Sequence, residues 1–385
     1  MTANSSSSTA PVSPRVFAVI AGGGTAGHII PALAIAEQLI EQGRAPLSIA
    51  FVASLRPSDQ RLLANSQHPR LLLNVDGLQR SISPRALWRT ATALPKLAVA
   101  AARTVRQFRQ WQPRVVVSVG GFASEPAVRA ARTLGIPVVV VSYDRHPGLA
   151  TRRQARHAAA VAVAFAGSAL PSARHTGAPV RAAVRRVLRN TPGDGARRQA
   201  AEAFGIDPAR RVVVVMGGSL GSLVVNRAIE QWAVANANRA DVAIVHLAGE
   251  RYMDTTVALP AGSLLQYVRR AGHDDMAGVW QIADITVCRA GASTVAELVS
   301  VGSAAIIIPW AQAADDHQRL NAAWLSDAGA AVMVQEHELE HRFGGELSRI
   351  VDDVTLGERL AANSYALGTL NRSSAIGALI ESVAH

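Results

Sequence analysis

Cysteine and lysine are nearly absent from this chain. Its 385 residues include one cysteine, Cys288, and one lysine, Lys96. A single thiol excludes an internal disulfide and favours a reducing, cytoplasmic setting. Because Cys288 ends an apolar segment, we expect a buried, inert thiol rather than a nucleophile.

Long apolar runs are absent as well. The longest, residues 158–166, is far shorter than the roughly 18 apolar residues of a membrane helix and predicts a buried strand. Residues 1–14 are polar and lack the basic and apolar segments of a signal peptide, so we expect a disordered tail. The composition, with 49% hydrophobic residues, 30 glycines and 18 prolines, predicts a globular α/β protein of about two domains.

Negative charge is scarce in one part of the chain. The formal net charge is +11, and between Arg80 and Arg156 the only acids are Glu125 and Asp144. Such a surface attracts the phosphates of nucleic acid, lipid or a pyrophosphate substrate. Residues 86–110 predict a basic amphipathic helix, which either lies on an anionic bilayer or covers a sheet with a solvated basic face. The basic residues between positions 80 and 156 are Arg80, Arg85, Arg89, Lys96, Arg103, Arg106, Arg109, Arg114, Arg129, Arg132, Arg145, Arg152, Arg153 and Arg156.

One stretch, residues 283–321, indicates a ligand site. It reads as strand, tight turn, helix, strand, loop and helix, and we expect Ser293 and Thr294 to cap the first helix. The free N–H groups at such a helix start suit a phosphate, and Glu297, one turn further, is close enough to accept hydrogen bonds from two sugar hydroxyls. We interpret the stretch as half of a nucleotide-sugar site; the alternative is an ordinary βαβ crossover with a surface glutamate. A polar run in the second loop comprises Asp315, Asp316, His317, Gln318 and Asn321.

The N-terminal half begins with an apolar strand that runs into a glycine-rich loop. Gly22, Gly24 and Gly27 match the G-x-G-x-x-G pattern of dinucleotide-binding folds, but the second strand, residues 47–52, has no carboxylate at its end. The loop therefore favours close backbone approach to a diphosphate or sugar rather than NAD. We expect a helix over residues 31–42, and His28 before it is either a general base or substrate contact, or a satisfied capping residue.

The second half repeats this plan. A strand at residues 211–216 runs into a second glycine-rich loop, residues 217–222, and a helix begins near Leu223. The repeat predicts two Rossmann-like domains that face each other across a cleft, each offering a glycine-rich loop to one ligand. The linker is expected near residues 176–181, where Arg181 either pairs with a phosphate or is an ordinary surface arginine.

Four motifs in order carry a resemblance to a known family: "GGGTAGHIIPALAIAEQL", "VVSVGGFASEPA", "VVVMGGSLGSLVVNRAI" and "ADITVCRAGASTVAELVSVG" with the following "IIIPWA" and "HQRLNA". Over residues 15–380 the chain resembles the MurG family of glycosyltransferases. The resemblance implies an α/β chain with the GT-B fold, two Rossmann-like domains whose parallel sheets face across a cleft. It implies an acceptor and membrane-side domain at residues 15–178, completed by a C-terminal helix at about 366–385, and a UDP-sugar-binding domain at residues 179–365.

That family transfers N-acetylglucosamine from UDP-N-acetylglucosamine to lipid I, the undecaprenyl-pyrophosphoryl-muramyl-pentapeptide, and so forms lipid II in peptidoglycan synthesis. The resemblance implies an inverting displacement without cofactor or metal, because helix N-termini and an arginine stabilise the leaving diphosphate. It also implies a peripheral enzyme on the cytoplasmic face of the cell membrane, in contact with anionic inner-leaflet lipid and with no nucleic-acid partner.

The resemblance also assigns roles to residues. His28 would be the catalytic base or orient the attacking hydroxyl, Glu297 would bind the ribose hydroxyls, and Gly121, Phe122 and Asp144 would lie on the acceptor side. The sugar and diphosphate are expected to contact Thr25, Ala26 and Gly27 in the first domain, and Arg181 and Ser219 in the second. The backbone amide of His273 would meet the uracil, and the diphosphate would lie over Ala290, Gly291, Ala292, Ser293, Thr294 and Val295. The N-acetylglucosamine hydroxyls would be bound by Gln318 and Asn321, with His317 beside them.

The chain departs from the family pattern mainly on the acceptor side. Residues 141–144 read Val-Ser-Tyr-Asp where the family has His-Glu-Gln-Asn, and Glu125 replaces a glycine. On the donor side Leu220 replaces a glutamine and Ser222 an alanine, so donor recognition transfers better than acceptor identity. Three alternatives stay open: a diverged paralogue that uses UDP-N-acetylglucosamine with another acceptor, a UDP-sugar epimerase or hydrolase on the same fold, and a non-catalytic basic binder of membrane or nucleic acid.

Overall fold

The strands of this protein are short, apolar and rich in valine and isoleucine. The computed structural model describes residues 15–75, 84–187, 195–218, 220–254 and 258–384, with backbone alone for 84–94. Continuous apolar runs of this kind form parallel strands that are covered on both faces. The strands are β1 (Ala18–Ala21), β2 (Ile49–Ser54), β3 (Arg70–Leu73), β4 (Val115–Ser118), β5 (Val138–Ser142), β6 (Ala160–Val163), β7 (Ala173–His175), β8 (Arg211–Met216), β9 (Val242–Leu247), β10 (Gln266–Arg270), β11 (Ile285–Cys288), β12 (Ala304–Ile307) and β13 (Val332–Met333).

Helices connect most of these strands and cover both sheets. Over the described part of the chain, none of them is long and apolar enough to cross a bilayer. The helices are α1 (Ala26–Glu41), α2 (Pro57–Leu63), α3 (Pro84–Trp111), α4 (Glu125–Thr133), α5 (Leu149–Ala155), α6 (Ala182–Arg185), α7 (Gly195–Phe204), α8 (Leu223–Ala235), α9 (Met276–Ile282), α10 (Ala292–Val301), α11 (His317–Asp327), α12 (Gly344–Asp352), α13 (Val354–Leu367) and α14 (Ala375–Val383).

The strands form two parallel sheets. The first has the order β3-β2-β1-β4-β5-β6-β7 and the second β10-β9-β8-β11-β12-β13. In each sheet the order reverses between two central neighbours, β1 and β4 in the first and β8 and β11 in the second. Ligands of open parallel sheets bind in the crevice at the carboxyl ends of the strands at such a switch point. The predicted α/β architecture with two Rossmann-like halves is confirmed, and we call the halves the first lobe and the second lobe.

The chain crosses between the lobes at two places along its length, near Ala178 and near Asn371, and the two crossings lie side by side. Ala178 N donates to Asn371 Oδ1 at 2.8 Å, and Asn371 Nδ2 donates to the carbonyl of Ala296 at 3.1 Å. Beyond Asn371, α14 packs on α1, where Gly377 N donates to Gln38 Oε1 at 3.1 Å. We propose on these contacts that the first domain ends near residue 178 and is completed by the last helix.

Three predicted helix boundaries were wrong. Helix α1 begins at Ala26 rather than at residue 31, so His28 lies in its first turn. Helix α10 follows Gly291 directly, so Ser293 and Thr294 lie inside it and do not cap it. Helix α11 begins at His317, so Gln318 and Asn321 lie on a helix rather than in a loop. In the last case the left-handed backbone of the preceding Asp315 and Asp316, with φ near 53° and 52°, ends the loop earlier than polarity suggested.

The basic amphipathic helix predicted at residues 86–110 is α3. In its second half Ala100, Phe108 and Trp111 are buried against the sheet, while Arg103, Arg106 and Arg109 are exposed. This half is therefore a sheet-covering helix with a solvated basic face. The tail predicted at residues 1–14, and Arg80, lie outside the described residues.

Candidate functional site

The switch point of the second sheet brings two helix starts together. Strands β8 and β11 are neighbours in register, with Met216 beside Cys288, and each runs through a short loop into a helix. Ser222 precedes α8 and Gly291 precedes α10, and neither helix start receives a side-chain capping bond. The first N–H groups of both helices therefore point, unsatisfied within the helix, at the same edge of the sheet. This arrangement suits an anion such as a diphosphate.

Arg289 holds the loops of this edge together, a role that the sequence did not reveal. Its Nη2 donates to Ser222 Oγ at 2.7 Å and pairs with Glu336 Oε1 at 2.6 Å, and its Nη1 donates to the carbonyls of Ile308 and Pro309. The guanidinium is buried, so it ties together the ends of β8, β11 and β12. The one sequence feature that pointed to this role is the position of the arginine directly after a buried strand.

Glu297 lies one turn into α10, as predicted. Its Oε2 accepts a hydrogen bond from the buried indole Nε1 of Trp280 at 2.8 Å. Burial raises the pKa of Glu297 to about 7, and the Trp280 hydrogen bond and the charge of Arg181 oppose that rise. The carboxylate is thus oriented, half-buried and close to its titration point at neutral pH.

The switch point of the first sheet carries the other glycine-rich loop. Gly121 has φ near +75°, and a Cβ there would lie 2.8 Å from the carbonyl oxygen of Gly23 and 3.3 Å from His28 Nε2. No side chain fits between these groups, so His28 lies against the backbone of the loop after β4. The Phe122 ring packs on Gly24 in the same way, where a Cβ would approach it to 2.8 Å.

His28 is half-buried in the first turn of α1. Its Nδ1 is 3.0 Å from Thr25 Oγ1. Burial lowers its pKa, while the negative charges of Asp144 and Asp59 oppose the change. The ring is therefore neutral at pH 7, and when Nδ1 donates to Thr25 the Nε2 lone pair is free on the side of Gly121. The geometry is that of a group able to accept a proton.

A carboxylate that the sequence reading overlooked fixes the first glycine-rich loop. Asp59 is fully buried, and its Oδ2 accepts from Gly24 N at 2.7 Å, Ser54 N at 3.1 Å and Ser54 Oγ at 2.6 Å. A dinucleotide fold would place a ribose-binding carboxylate at the end of the second strand, whereas Asp59 lies in the first turn of α2. It binds protein backbone instead of a ligand, which removes the basis for an NAD site.

Two of the departures on the acceptor side have structural roles. The hydroxyl of Tyr143 donates to the carbonyl of Gly27 at 2.7 Å, which anchors α1 to the loop after β5. Glu125 pairs with Arg129 at 2.9 Å and accepts from Gln154 Nε2 at 3.1 Å. Both side chains therefore support the first lobe from within, and Asp144 is left as the departure that faces the second lobe.

Asn321 connects the lobes through a fully buried amide. Its Oδ1 accepts from the backbone N–H of Arg145 at 3.1 Å, and its Nδ2 lies 3.1 Å from the carbonyl of Ala290 and 3.4 Å from Asp144 Oδ1. Ala290 belongs to the loop after β11, and Asp144 and Arg145 to the loop after β5. The loops that follow β5 and β11 therefore lie on the two sides of one interface.

Arg181 lies at this interface too, next to Glu297. Its Nε donates to Glu37 Oε1 at 2.7 Å, and the other oxygen of Glu37 accepts from Ala182 N at 2.6 Å. Helix α1 of the first lobe is thereby attached to the chain that enters the second lobe. The positive charge of the guanidinium is close enough to Glu297 to lower the pKa of that carboxyl group against the rise caused by burial.

The other predicted contacts are placed as follows. Gln318 Oε1 accepts from Trp310 N at 3.0 Å, and His317 Nδ1 donates to the carbonyl of Ala314 at 2.7 Å, so both stabilise the start of α11. The ring of His273 packs against that of Phe204, with 4.7 Å between the ring centroids. Ser219 lies outside the described residues.

Metal ligation was not expected. Among the residues that the structure describes, no group of three or more histidine, cysteine, aspartate and glutamate side chains is arranged to hold a metal ion. That the reaction needs neither metal nor cofactor stays a prediction.

Comparison with known proteins identifies the family. The glycosyltransferase family 28 N-terminal domain matches residues 18–163, and the glycosyltransferase family 28 C-terminal domain matches residues 212–374. A relative from Paenarthrobacter aurescens is 36% identical over 99% of this chain and 98% of its own length. Another, from Syntrophus aciditrophicus, is 32% identical over 94% of this chain and 97% of its own. This chain belongs to glycosyltransferase family 28.

Both relatives of this glycosyltransferase are named UDP-N-acetylglucosamine--N-acetylmuramyl-(pentapeptide) pyrophosphoryl-undecaprenol N-acetylglucosamine transferase. The crystal structure of Acinetobacter baumannii MurG is similar to this structure, with a TM-score of 0.69. The two sequences are 25% identical, and the match covers 96% of this chain and 99% of that one. The predicted membership of the MurG family and the GT-B fold are confirmed. A UDP-GlcNAc 2-epimerase from Neisseria meningitidis has a TM-score of 0.63 at 13% identity, which shows a shared fold alone.

The buried position of Asp59 yields a stability prediction. Replacing Asp59 with alanine removes the acceptor of three buried donors, and we expect the free energy of unfolding to fall by about 2–4 kcal/mol. Chemical denaturation measures this, with Arg61→Ala, an exposed change on the same helix, as the control. A loss no larger than that of the control would show that Asp59 does not hold the loop.

Proposed function

We propose that this glycosyltransferase moves N-acetylglucosamine from UDP-N-acetylglucosamine to the muramyl sugar of lipid I, an undecaprenyl-pyrophosphoryl-muramyl-pentapeptide, and so forms lipid II. One observation carries the proposal beyond family membership. The helix starts of α8 and α10, which suit a diphosphate, and His28, which suits a proton acceptor, lie on opposite sides of the interface that Asn321 bridges.

The donor is proposed to bind the second lobe. Its diphosphate would receive hydrogen bonds from the N–H groups at residues 290–294 and charge compensation from Arg181, while the N–H of Val295 donates to the carbonyl of Gly291 and Val295 would only pack beneath the diphosphate. Glu297, oriented by Trp280, would accept hydrogen bonds from the two ribose hydroxyls, and the backbone near His273 would meet the uracil. Gln318 and Asn321 would reach the sugar. Asn321 would then bind a sugar hydroxyl in place of its 3.4 Å contact with Asp144.

The chemistry is a direct displacement at the anomeric carbon. A muramyl hydroxyl attacks, the bond from the anomeric carbon to the diphosphate oxygen breaks, and UDP leaves as the configuration inverts. His28 Nε2 accepts the proton of the attacking hydroxyl. The negative charge that develops on the leaving diphosphate is stabilised by fixed N–H dipoles and Arg181, which is the kind of preorganised stabilisation that lowers barriers most.

The acceptor is proposed to approach from the first lobe and its membrane-facing side. Gly121, Phe122 and Asp144 line the part of that lobe next to His28, together with Thr25. The exposed arginines of α3, namely Arg103, Arg106 and Arg109, would attract anionic lipid at a cytoplasmic membrane surface. Peripheral attachment through this surface would bring the enzyme to a lipid-linked substrate without a spanning helix, and no nucleic acid takes part.

An assay with two substrates tests the proposed reaction. The protein is incubated with radiolabelled UDP-N-acetylglucosamine and either lipid I or no acceptor, and UDP release and label transfer are followed together. Label transfer that depends on lipid I supports the proposal. UDP release without transfer would favour a hydrolase or a paralogue with another acceptor, and epimerised sugar would favour the epimerase alternative.

Glu297 provides a prediction for donor binding. Glu297→Ala should raise the donor KM roughly tenfold to a hundredfold, because a carboxylate that accepts two hydrogen bonds is lost. The raised pKa of Glu297, about 7, adds a pH effect: the carboxylate forms as pH rises through neutrality, so the wild-type donor KM should fall there. Glu297→Gln should remove that pH dependence, and Glu202→Ala, an exposed control, should change neither. An unchanged donor KM in Glu297→Ala would remove Glu297 from the site.

His28 provides a prediction for turnover. His28→Ala should lower kcat by roughly a hundredfold, the usual contribution of a general base, and leave the donor KM nearly unchanged. Steady-state kinetics with saturating donor measure this, and the exposed His157→Ala serves as the matched control. Wild-type turnover in His28→Ala would exclude it as the base.

Asp144 provides a prediction for the pH profile. Its negative charge raises the pKa of His28 against the lowering by burial, so Asp144→Asn should lower that pKa further. Because a base is lost when it becomes protonated, the acidic limb of the kcat profile should move to lower pH in the variant. An unchanged acidic limb would mean that Asp144 does not act on the titrating group.

A further inference from the structure

A cavity lies beside the interface on the flank of α11. Its volume is about 460 Å³, within the range of roughly 300–1,000 Å³ that is usual for ligand sites. The residues that line it are Arg145, Leu320, Ala323, Trp324, Asp327 and Ala328. Arg145 comes from the first lobe and the others from α11 of the second lobe, so the cavity forms only where the two lobes meet.

The cavity is separate from the donor side of the same helix. Asn321 is fully buried, whereas Leu320, Trp324 and Asp327 recur at the spacing of one helix face and are partly or fully exposed. The cavity nevertheless begins next to the candidate site, because the backbone N–H of Arg145 is the group that Asn321 Oδ1 holds at 3.1 Å. Arg145 therefore connects the cavity to the loop that carries Asp144, the expected acceptor-side residue.

Its polar groups lack partners within the described part of the chain. The exposed Arg145 guanidinium makes no hydrogen bond or ion pair there, and lies 5.7 Å from the centre of the Phe165 ring. The carboxylate of Asp327 is likewise unpaired in that part, and it ends α11, where the helix dipole disfavours negative charge. Between them lies Trp324, packed edge-on against Phe165 at 4.8 Å. One cation and one anion thus flank an aromatic and apolar surface.

We propose that this cavity binds the peptide of the acceptor, with the peptide's terminal carboxylate at Arg145 and an amino or amide group at Asp327. The inference rests on the proposed function, because the muramyl sugar that carries the attacking hydroxyl also carries the peptide. The peptide must therefore lie close to the reaction centre. The loop of Asp144 and Arg145 extends from the reaction centre to the cavity. A lipid diphosphate fits less well, since the Asp327 carboxylate would repel it.

The test compares three acceptors that share one short lipid diphosphate and muramyl sugar. The first carries the pentapeptide, the second the pentapeptide with a C-terminal amide, and the third no peptide. Acceptor KM, donor KM and kcat are measured for the wild type, Arg145→Ala, Arg145→Lys, Asp327→Asn and Arg132→Ala. The last variant removes an equal charge from an exposed position on α4 and is the matched control.

For the wild type we expect an acceptor KM roughly tenfold lower for the free pentapeptide than for the amide, because one charged hydrogen-bond pair is at stake. Arg145→Ala should abolish this preference, Arg145→Lys should restore part of it, and none of the variants should change the donor KM. Asp327→Asn should raise the acceptor KM for both peptide acceptors and leave the peptide-free one unchanged. Equal KM values for all three acceptors in the wild type, or an equal effect of Arg145→Ala on each, would overturn the inference.

A binding measurement separates this inference from the reaction itself. The intrinsic fluorescence change on adding the pentapeptide acceptor is compared between the wild type, Trp324→Phe and Arg145→Ala, without donor. A change that needs both Trp324 and Arg145 supports the cavity even if no label is transferred, in which case the proposed reaction alone fails. Transfer to every acceptor without such a change would refute the cavity and leave the reaction standing.

Discussion

The buried amide of Asn321 is the contact on which the arrangement of the two lobes depends. A buried amide is costly unless its polar atoms are hydrogen-bonded, and Asn321 finds partners in both lobes: Arg145 and Asp144 on one side and Ala290 on the other. These partners follow β5 and β11, so the amide fixes the carboxyl ends of the two sheets against each other. Together with the Arg181–Glu37 pair, this contact joins the two lobes at the candidate site.

The electrostatics of the site follow from the burial of its ionisable groups. Excluding water raises the pKa of Glu297 and lowers that of His28, so the carboxyl group is near its titration point and the imidazole is neutral at the same pH. Neither shift needs an unusual residue, because burial alone penalises the charged form of each group. The free N–H groups of α8 and α10 then supply the positive potential that an anionic leaving group requires.

Much of this fold was readable because its strands are continuous apolar runs. Valine-rich segments such as β4 and β8, each followed by glycine, predicted parallel strands that end in ligand loops, and the repeat of that plan predicted two similar lobes. Helix starts were less predictable, since the backbone of Asp315 and Asp316 and the small residues after Cys288 decided them rather than side-chain preference. Sequence spacing placed Glu297 one turn into its helix because that position depends only on helical geometry.

The missed residues share a physical cause. Asp59 and Arg289 are charged groups turned inward to bind backbone and loop atoms, and in a sequence such residues look like any solvated acid or arginine. The loops that they fix, at Gly24 and Ser222, lie 35 and 67 residues away along the chain, so no local pattern marks this role. The departures at Tyr143 and Glu125 were likewise read as changes in the acceptor groove, whereas both side chains bond within the first lobe.

The central claim is that the loop of Thr25 and His28 in the first lobe and the start of α10 in the second lobe contact a single uridine diphospho-sugar across the interface bridged by Asn321. A crystal structure of the protein with UDP-N-acetylglucosamine tests it most directly. The account predicts the ribose at Glu297, the diphosphate at the start of α10, and the sugar between Asn321 and the loop of Thr25 and His28. Density for the nucleotide on any other surface, with that interface unoccupied, would contradict it.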